Sequence, residues 1–252
     1  MVLIGTLWAI FHPREPRYGG KPLTSWLEVL LLDWELATQT DAAKQEAQQA
    51  ITTIGTNGIP IYLRLLKEND SKLRLKWNAA FDWIKDNYAF KIHHLRDYER
   101  NCEGYLGIKT LGTNAVTAVP ELVRIYKLNI SDNSRSAVIM SLGEIGPPAK
   151  DAVPFLLQWL SERPKEFEVI QALGKIHSSP DLVIPVLIDH LADSDQLARV
   201  STLKALGEFG ADAKSAFEPA TKLLNDEKAS VRDSARETLK KIDPVATARI
   251  AK

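Results

Sequence analysis

The chain of 252 residues has a single cysteine, no surplus of either charge and no long apolar run. Each shortage removes a class of protein. Cys102 alone forms no internal disulfide and no Cys-based zinc or iron–sulfur site, which need several thiolates. Lys and Arg number 32 against 32 Asp and Glu, and that balance argues against a dedicated nucleic-acid binder, whose affinity rests on excess cations facing phosphates. The uninterrupted apolar run is MVLIGTLWAIF at residues 1–11, about half the roughly 20 residues that a bilayer span needs. It lacks the basic start and small-residue cleavage pattern of a signal peptide. The sequence holds no GxGxxG, Walker A, GxSxG or HExxH motif. His12, His93, His94, His177 and His190 are dispersed, and the adjacent pair would diverge by about 100° on a helix. No catalytic residue, metal site or cofactor is expected, and Cys102, in an Ala/Leu-rich helix, reads as a small buried residue.

What remains is material for a core, 45% apolar residues, arranged in a repeat. Leu111-Gly112, Leu142-Gly143, Leu173-Gly174 and Leu206-Gly207 each end an apolar helix, and a short loop leads to a second apolar segment. That segment opens with Val119-Pro120, Val153-Pro154 or Ile184-Pro185, and with Phe217-Glu218-Pro219 in the last copy; Ile54-Gly55 and Ile59-Pro60 make an earlier copy. Residues 69–83 align with 225–239, placing Lys76 on Arg232 and Trp83 on Leu239, so an irregular unit is expected at about 70–100. The markers Ile54, Trp83, Leu111, Leu142, Leu173, Leu206 and Leu239 are then separated by 29, 28, 31, 31, 33 and 33 residues. Proline suits a first helical turn because its missing N–H has no intrahelical acceptor there. No segment alternates with the period of a strand. A lone hairpin cannot bury both faces, so the pattern predicts an all-α chain: a right-handed α-solenoid of stacked helical hairpins over 24–252.

Residues 1–23 form an apolar arm and a Pro/Gly-rich linker, in which Gly19-Gly20 reads as a turn. The arm is read either as the tail of a longer membrane anchor whose start lies upstream of Met1, or as a segment packing on the first helix. That helix is expected to begin with Ser25 and Glu28 as a capping box, Thr24 competing, and to bury Trp26, Leu27, Leu30, Leu31 and Trp34.

The run Ser141-Leu142-Gly143-Glu144-Ile145-Gly146-Pro147-Pro148-Ala149-Lys150-Asp151-Ala152-Val153-Pro154 resembles the short HEAT repeat of phycobiliprotein-lyase-related and many bacterial proteins. Asp193-Ser194-Asp195 with Arg199, Ala205 and Leu206-Gly207 carries the same likeness, which extends over about 41–243. Tyr18-Gly19-Gly20-Lys21-Pro22-Leu23 with Trp26-Leu27 resembles a segment preceding such repeats in bacterial proteins with an N-terminal hydrophobic anchor. The resemblance implies a non-enzymatic scaffold that binds a protein or peptide on the concave face. It also leaves two other readings, a nucleic-acid binder like the alkylated-base DNA glycosylases and a chromophore lyase or chaperone.

In a solenoid of this kind the second helices tend to line the concave side. Aligned on proline, one column of those helices reads Arg64, Arg124, Gln158, Asp189, Lys222, and three residues on come Lys67, Lys127, Ser161, Ala192, Asn225. Arg64, Lys67, Arg124 and Lys127 thus make a candidate basic strip, or ordinary solvated positions. Trp159 and His190 replace aliphatics in a neighbouring column, as a recognition ledge or a packing variation. Charge is uneven: residues 101–227 hold 12 cations against 17 anions, 71–100 hold 7 against 4 and 228–252 hold 7 against 3. The aromatic and basic residues of 70–100 are expected to plug the stack rather than to stack on bases. The basic C-terminus reads as a polar end cap.

Overall fold

The computed structural model describes residues 15–36, 40–69, 97–163 and 166–250, and the chain is all-α. Among the described residues the strands are two-residue pieces, β1 (Arg17–Tyr18) and β2 (Lys21–Pro22), paired antiparallel. Gly19 and Gly20 join them with φ of 54° and 79°, the left-handed geometry a two-residue hairpin loop requires. Helix α1 (Leu23–Leu36) follows at once and buries Trp26, Leu27, Leu30 and Leu31 of the expected stripe, together with Leu23. Its first turn is capped from outside the helix. The Thr24 amide donates to the Glu15 carboxylate and the Leu23 amide to the Pro16 carbonyl at 2.9 Å, because the hairpin folds residues 15–16 back onto the helix end. Ser25 therefore lies inside α1, and the expected Ser25–Glu28 box is not its cap. Residues 1–14, the side chain of Trp34 and residues 70–96 lie outside the described residues.

The chain forms two compact units, Met1–Val138 and Ile139–Lys252. In the first, α2 (Asp41–Ile54) is capped by Thr40, whose hydroxyl accepts the Ala43 amide at 3.2 Å. A 3-10 turn leads to α3 (Ile59–Leu65), and α4 (Asp97–Leu111) leads through another to α5 (Val119–Lys127). Helix α3 packs directly on α4: Asn101 donates to the carbonyls of Leu65 at 2.9 Å and Glu68 at 3.2 Å, and the two 3-10 turns touch. Among the described residues the hairpin after α2–α3 is thus α4–α5. The irregular unit expected at about 70–100, with its Trp77, Phe81, Trp83, Tyr88 and Phe90, lies outside the described residues up to the start of α4. Gly104 and Gly107 permit the approach, since a Cβ on Gly107 would stand 2.3 Å from the Tyr62 ring. Cys102, on the same helix, is buried as expected.

Helix α6 (Asp132–Ile145) runs from one unit into the other. The second unit continues through α7 (Val153–Glu162), α8 (Phe167–Ile176), α9 (Pro180–His190), α10 (Gln196–Phe209), α11 (Phe217–Lys222), α12 (Ala229–Ile242) and α13 (Pro244–Ile250). Helices α8, α10 and α12 pack side by side in chain order.

The first helices end at Ile54, Leu111, Ile145, Ile176, Phe209 and Ile242, and all but the last are followed by a residue of positive φ: Gly55, Gly112, Gly146, His177 and Gly210. Leu111-Gly112 therefore corresponds to Ile145-Gly146 rather than to Leu142-Gly143, which moves the earlier copies three residues out of the register expected from sequence. The last residues from Leu111 onward are separated by 34, 31, 33 and 33. Pro60, Pro120 and Pro154 stand in the first turn of second helices as expected. Pro185 does not, because α9 starts at Pro180 and Pro185 lies inside it.

In that repeat His177 occupies the left-handed position held elsewhere by glycine, with φ of 45°. A β-carbon there costs on the order of 1 kcal/mol, partly offset by the edge-on packing of His177 against Phe209 at 5.0 Å. His177→Gly is expected to raise stability by about 0.5 kcal/mol in urea melts; a loss would mean that the aromatic contact outweighs the strain.

Candidate functional site

In the first unit two members of the basic strip converge on one carboxylate. Lys67, just beyond α3, places its ammonium 2.7 Å from Glu121 Oε1, and Arg124 binds the same carboxylate with Nη2 and Nε, each at 2.6 Å. The guanidinium fork fits the carboxylate through two parallel hydrogen bonds, which fixes direction as well as distance. Hydrogen bonds from Arg124 and then Lys67 hold the Glu121 carboxyl down at about 2. The folded value lies below the unfolded one, so the clamp's contribution is present above the ordinary carboxylate range and is lost as pH falls towards 2. Arg64 is half-buried on α3, and its Nε has no hydrogen-bond partner. Lys127, the last residue of α5, is exposed and engaged in contacts of its own. The strip thus has four cations on or just beyond neighbouring second helices, with one carboxylate of the chain clamped between two of them. Glu121 sits one turn before Arg124, and an alignment that followed only basic columns passed over it.

Trp159 and His190 belong to the second unit. The Trp159 indole N–H donates to Glu166 Oε2 at 2.6 Å, while the Arg163 guanidinium lies 4.7 Å from its ring centroid and its Nη1 lies 3.5 Å from Glu166. These contacts tie the half-buried Trp159 to the segment after its own helix. His190 closes α9, half-buried, and its carbonyl accepts the Asp193 amide at 3.3 Å.

The first helices of the second unit carry a column that the sequence reading missed. The residues preceding the last residue of α6, α8, α10 and α12 are Glu144, Lys175, Glu208 and Lys241. They pair in twos, Lys175 with Glu144 at 2.8 Å and Lys241 with Glu208 at 2.9 Å. Reading the residue before each helix stop, rather than the second helices alone, would have shown the alternation. In the first unit a groove of about 520 Å³ lies between α1, α2 and α4, with Leu30 and Leu106 at its apolar side and Lys44 and Lys109 among its polar residues. Among the described residues no group of His, Cys, Asp or Glu is placed to hold a metal ion, and no helix is long and apolar enough to cross a membrane.

No protein-family model matches the sequence. The uncharacterized protein SkfG of Bacillus subtilis (strain 168) is 34% identical over 77 residues, which is 31% of this chain and 44% of that protein, so the match spans less than half of the relative. Among solved structures the chain is similar to engineered proteins of the Northeast Structural Genomics Consortium. One has a TM-score of 0.45 at 15% identity, covering 88% of this chain and 96% of its own. A second has a TM-score of 0.45 at 16% identity, covering 89% of this chain and 99% of its own.

Proposed function

We propose that the chain is a non-enzymatic binding scaffold, a right-handed α-solenoid of HEAT-like hairpins whose second helices take an acidic segment of a protein partner. The near-constant interval between first-helix ends from Leu111 onward and the side-by-side packing of α8, α10 and α12 support the stacked-hairpin reading. The observation that carries the binding reading is the Lys67–Glu121–Arg124 clamp. Two second helices already present cations in a geometry that accepts a carboxylate, and Arg64 and Lys127 extend that charge along the same helices. Glu121 acts as an internal stand-in, competing with a partner's carboxylate for Lys67 and Arg124.

An immobilised glutamate-rich peptide at low salt is the direct probe. Replacing Arg64, Lys67, Arg124 and Lys127 by Glu is expected to weaken its retention by at least about tenfold, since like charges oppose the contact in place of attraction. Glu121→Gln is expected to strengthen retention a few-fold by releasing both cations. Unchanged retention in both variants, with the helical circular dichroism intact, would reduce the strip to a solvated surface.

A further inference from the structure

The face of α4 that meets α1 carries a carboxylate with almost no solvent. Glu103 is 1% exposed, and its Oε1 has no hydrogen-bond partner. A buried polar atom normally finds a partner, and a buried charge normally finds a counter-charge. Glu103 has mostly the reverse around it. Among the described residues Glu15 acts on it from the segment before α1, Glu28 from α1, and Glu99 from its own helix, against the cation Arg100. Arg100 is itself shared, 4.0 Å from the Glu68 carboxylate beyond α3. Helix α3 adds Tyr62, a buried hydroxyl without a partner, and α2 adds Lys44, which lines the groove farther along α4 with Lys109. Burial is the main reason that the Glu103 carboxyl is raised to about 8; Arg100 opposes the shift, and Glu28, Glu99 and Glu15 reinforce it.

We infer that the packing of α1 on α4 is a proton-controlled catch: neutral Glu103 lets α1 stay docked, and ionised Glu103 releases it. The helix that moves is set by where the charges sit. Glu28 lies on α1, and Glu15 holds the first turn of α1 through the Thr24 amide, so undocking α1 removes two of the three opposing carboxylates and hydrates Glu103 in one step. Leu106 and Thr110, one and two turns after Glu103, share their groove with Leu30 of α1, which places this face of α4 towards α1. The opposite face of α4 is held to α3 by the Asn101 hydrogen bonds, which do not involve Glu103. The folded pKa lies above the unfolded one, so docking is fully favoured below the ordinary carboxylate range and is lost as pH rises through about 8.

Amide hydrogen exchange, corrected for intrinsic rates, tests this. Between about pH 6 and pH 8 the protection of α1 should fall by about 50-fold in the wild type and stay level in Glu103→Gln, while α3 keeps its protection. An equal fall in Glu103→Gln, or equal losses in α1 and α3, would overturn the catch. Infrared spectra of the wild type give a second reading that needs no variant. A protonated-carboxyl stretch at about pH 6.5 should bleach by about pH 9, and its absence at the lower pH would overturn the proposal as well.

Discussion

Gly174→Ala should destabilise the second unit by about 2–3 kcal/mol, whereas the same change at Gly207 should be neutral or stabilising by up to about 1 kcal/mol. Both glycines follow a leucine in a first helix, and the sequence presents them as one motif. The difference lies in what stands opposite. A Cβ on Gly174 would lie 2.7 Å from Ala205 Cα and 2.8 Å from Ala205 Cβ, so the backbone of α10 blocks it and no side chain can rotate away. Helices α8 and α10 would have to separate, loosening a close-packed interface along its length. Opposite Gly207 the nearest atom is Lys241 Cδ at 3.2 Å, the middle of a flexible chain that swings aside, and the gain in helix propensity over glycine then decides the sign. Gly143 is intermediate, with Ala172 Cα at 3.2 Å. Urea melts of the three alanine variants check the order; equal losses would contradict the assignment of Gly174 as the closest helix crossing.

That series also shows where the sequence misled. Helical periodicity, proline at second-helix starts and the repeat interval are local features, and they placed most helices correctly. The phase of the repeat was not local. Leu111-Gly112 and Leu142-Gly143 look alike, yet Gly112 has a φ of 54° and stops a helix while Gly143 lies within one against Ala172. Only backbone conformation separates a stopping glycine from a packing glycine. The α1 cap was hidden for a related reason, because its acceptor Glu15 stands nine residues before Thr24 and meets it through the β1–β2 hairpin. Glu103 was hidden by its own type: a glutamate between Cys102 and Gly104 reads as a solvated helix position, and its burial is a tertiary property of α4. On the candidate strip the cations were legible from spacing, but the carboxylate that joins two of them lay in a column nobody would follow for positive charge.

Arg199→Met should cost the second unit about 3 kcal/mol, and Arg232→Met about 1 kcal/mol, although the two arginines repeat one motif. Each folds back on the turn before its own helix. Arg199 Nη1 donates to the carbonyls of Asp193 at 2.8 Å and Ser194 at 3.1 Å, and Arg232 Nη1 to those of Asp226 at 2.7 Å and Glu227 at 3.0 Å. Arg199 is in addition buried, 8% exposed, and reaches the next turn, where Nη2 donates to Asp226 Oδ1 at 3.0 Å and Nε lies 2.9 Å from Oδ2 without hydrogen-bond alignment. Methionine fills much of the same volume but leaves two carbonyls without their donor and the carboxylate without its cation, which is the costly half of a broken pair. The Lys228 amide and then Arg199 hold the Asp226 carboxyl below the usual carboxylate range, so the stability this carboxylate supplies is present above that range and is lost as pH falls through its folded value. The penalty of Arg199→Met should therefore shrink in acid melts. With Asp226→Asn added, the double variant should lose less than the two single losses together, because each single change already breaks the shared contact. Full additivity would show that Arg199 acts only on its own turn, and that nothing energetic passes from one hairpin to the next through this pair.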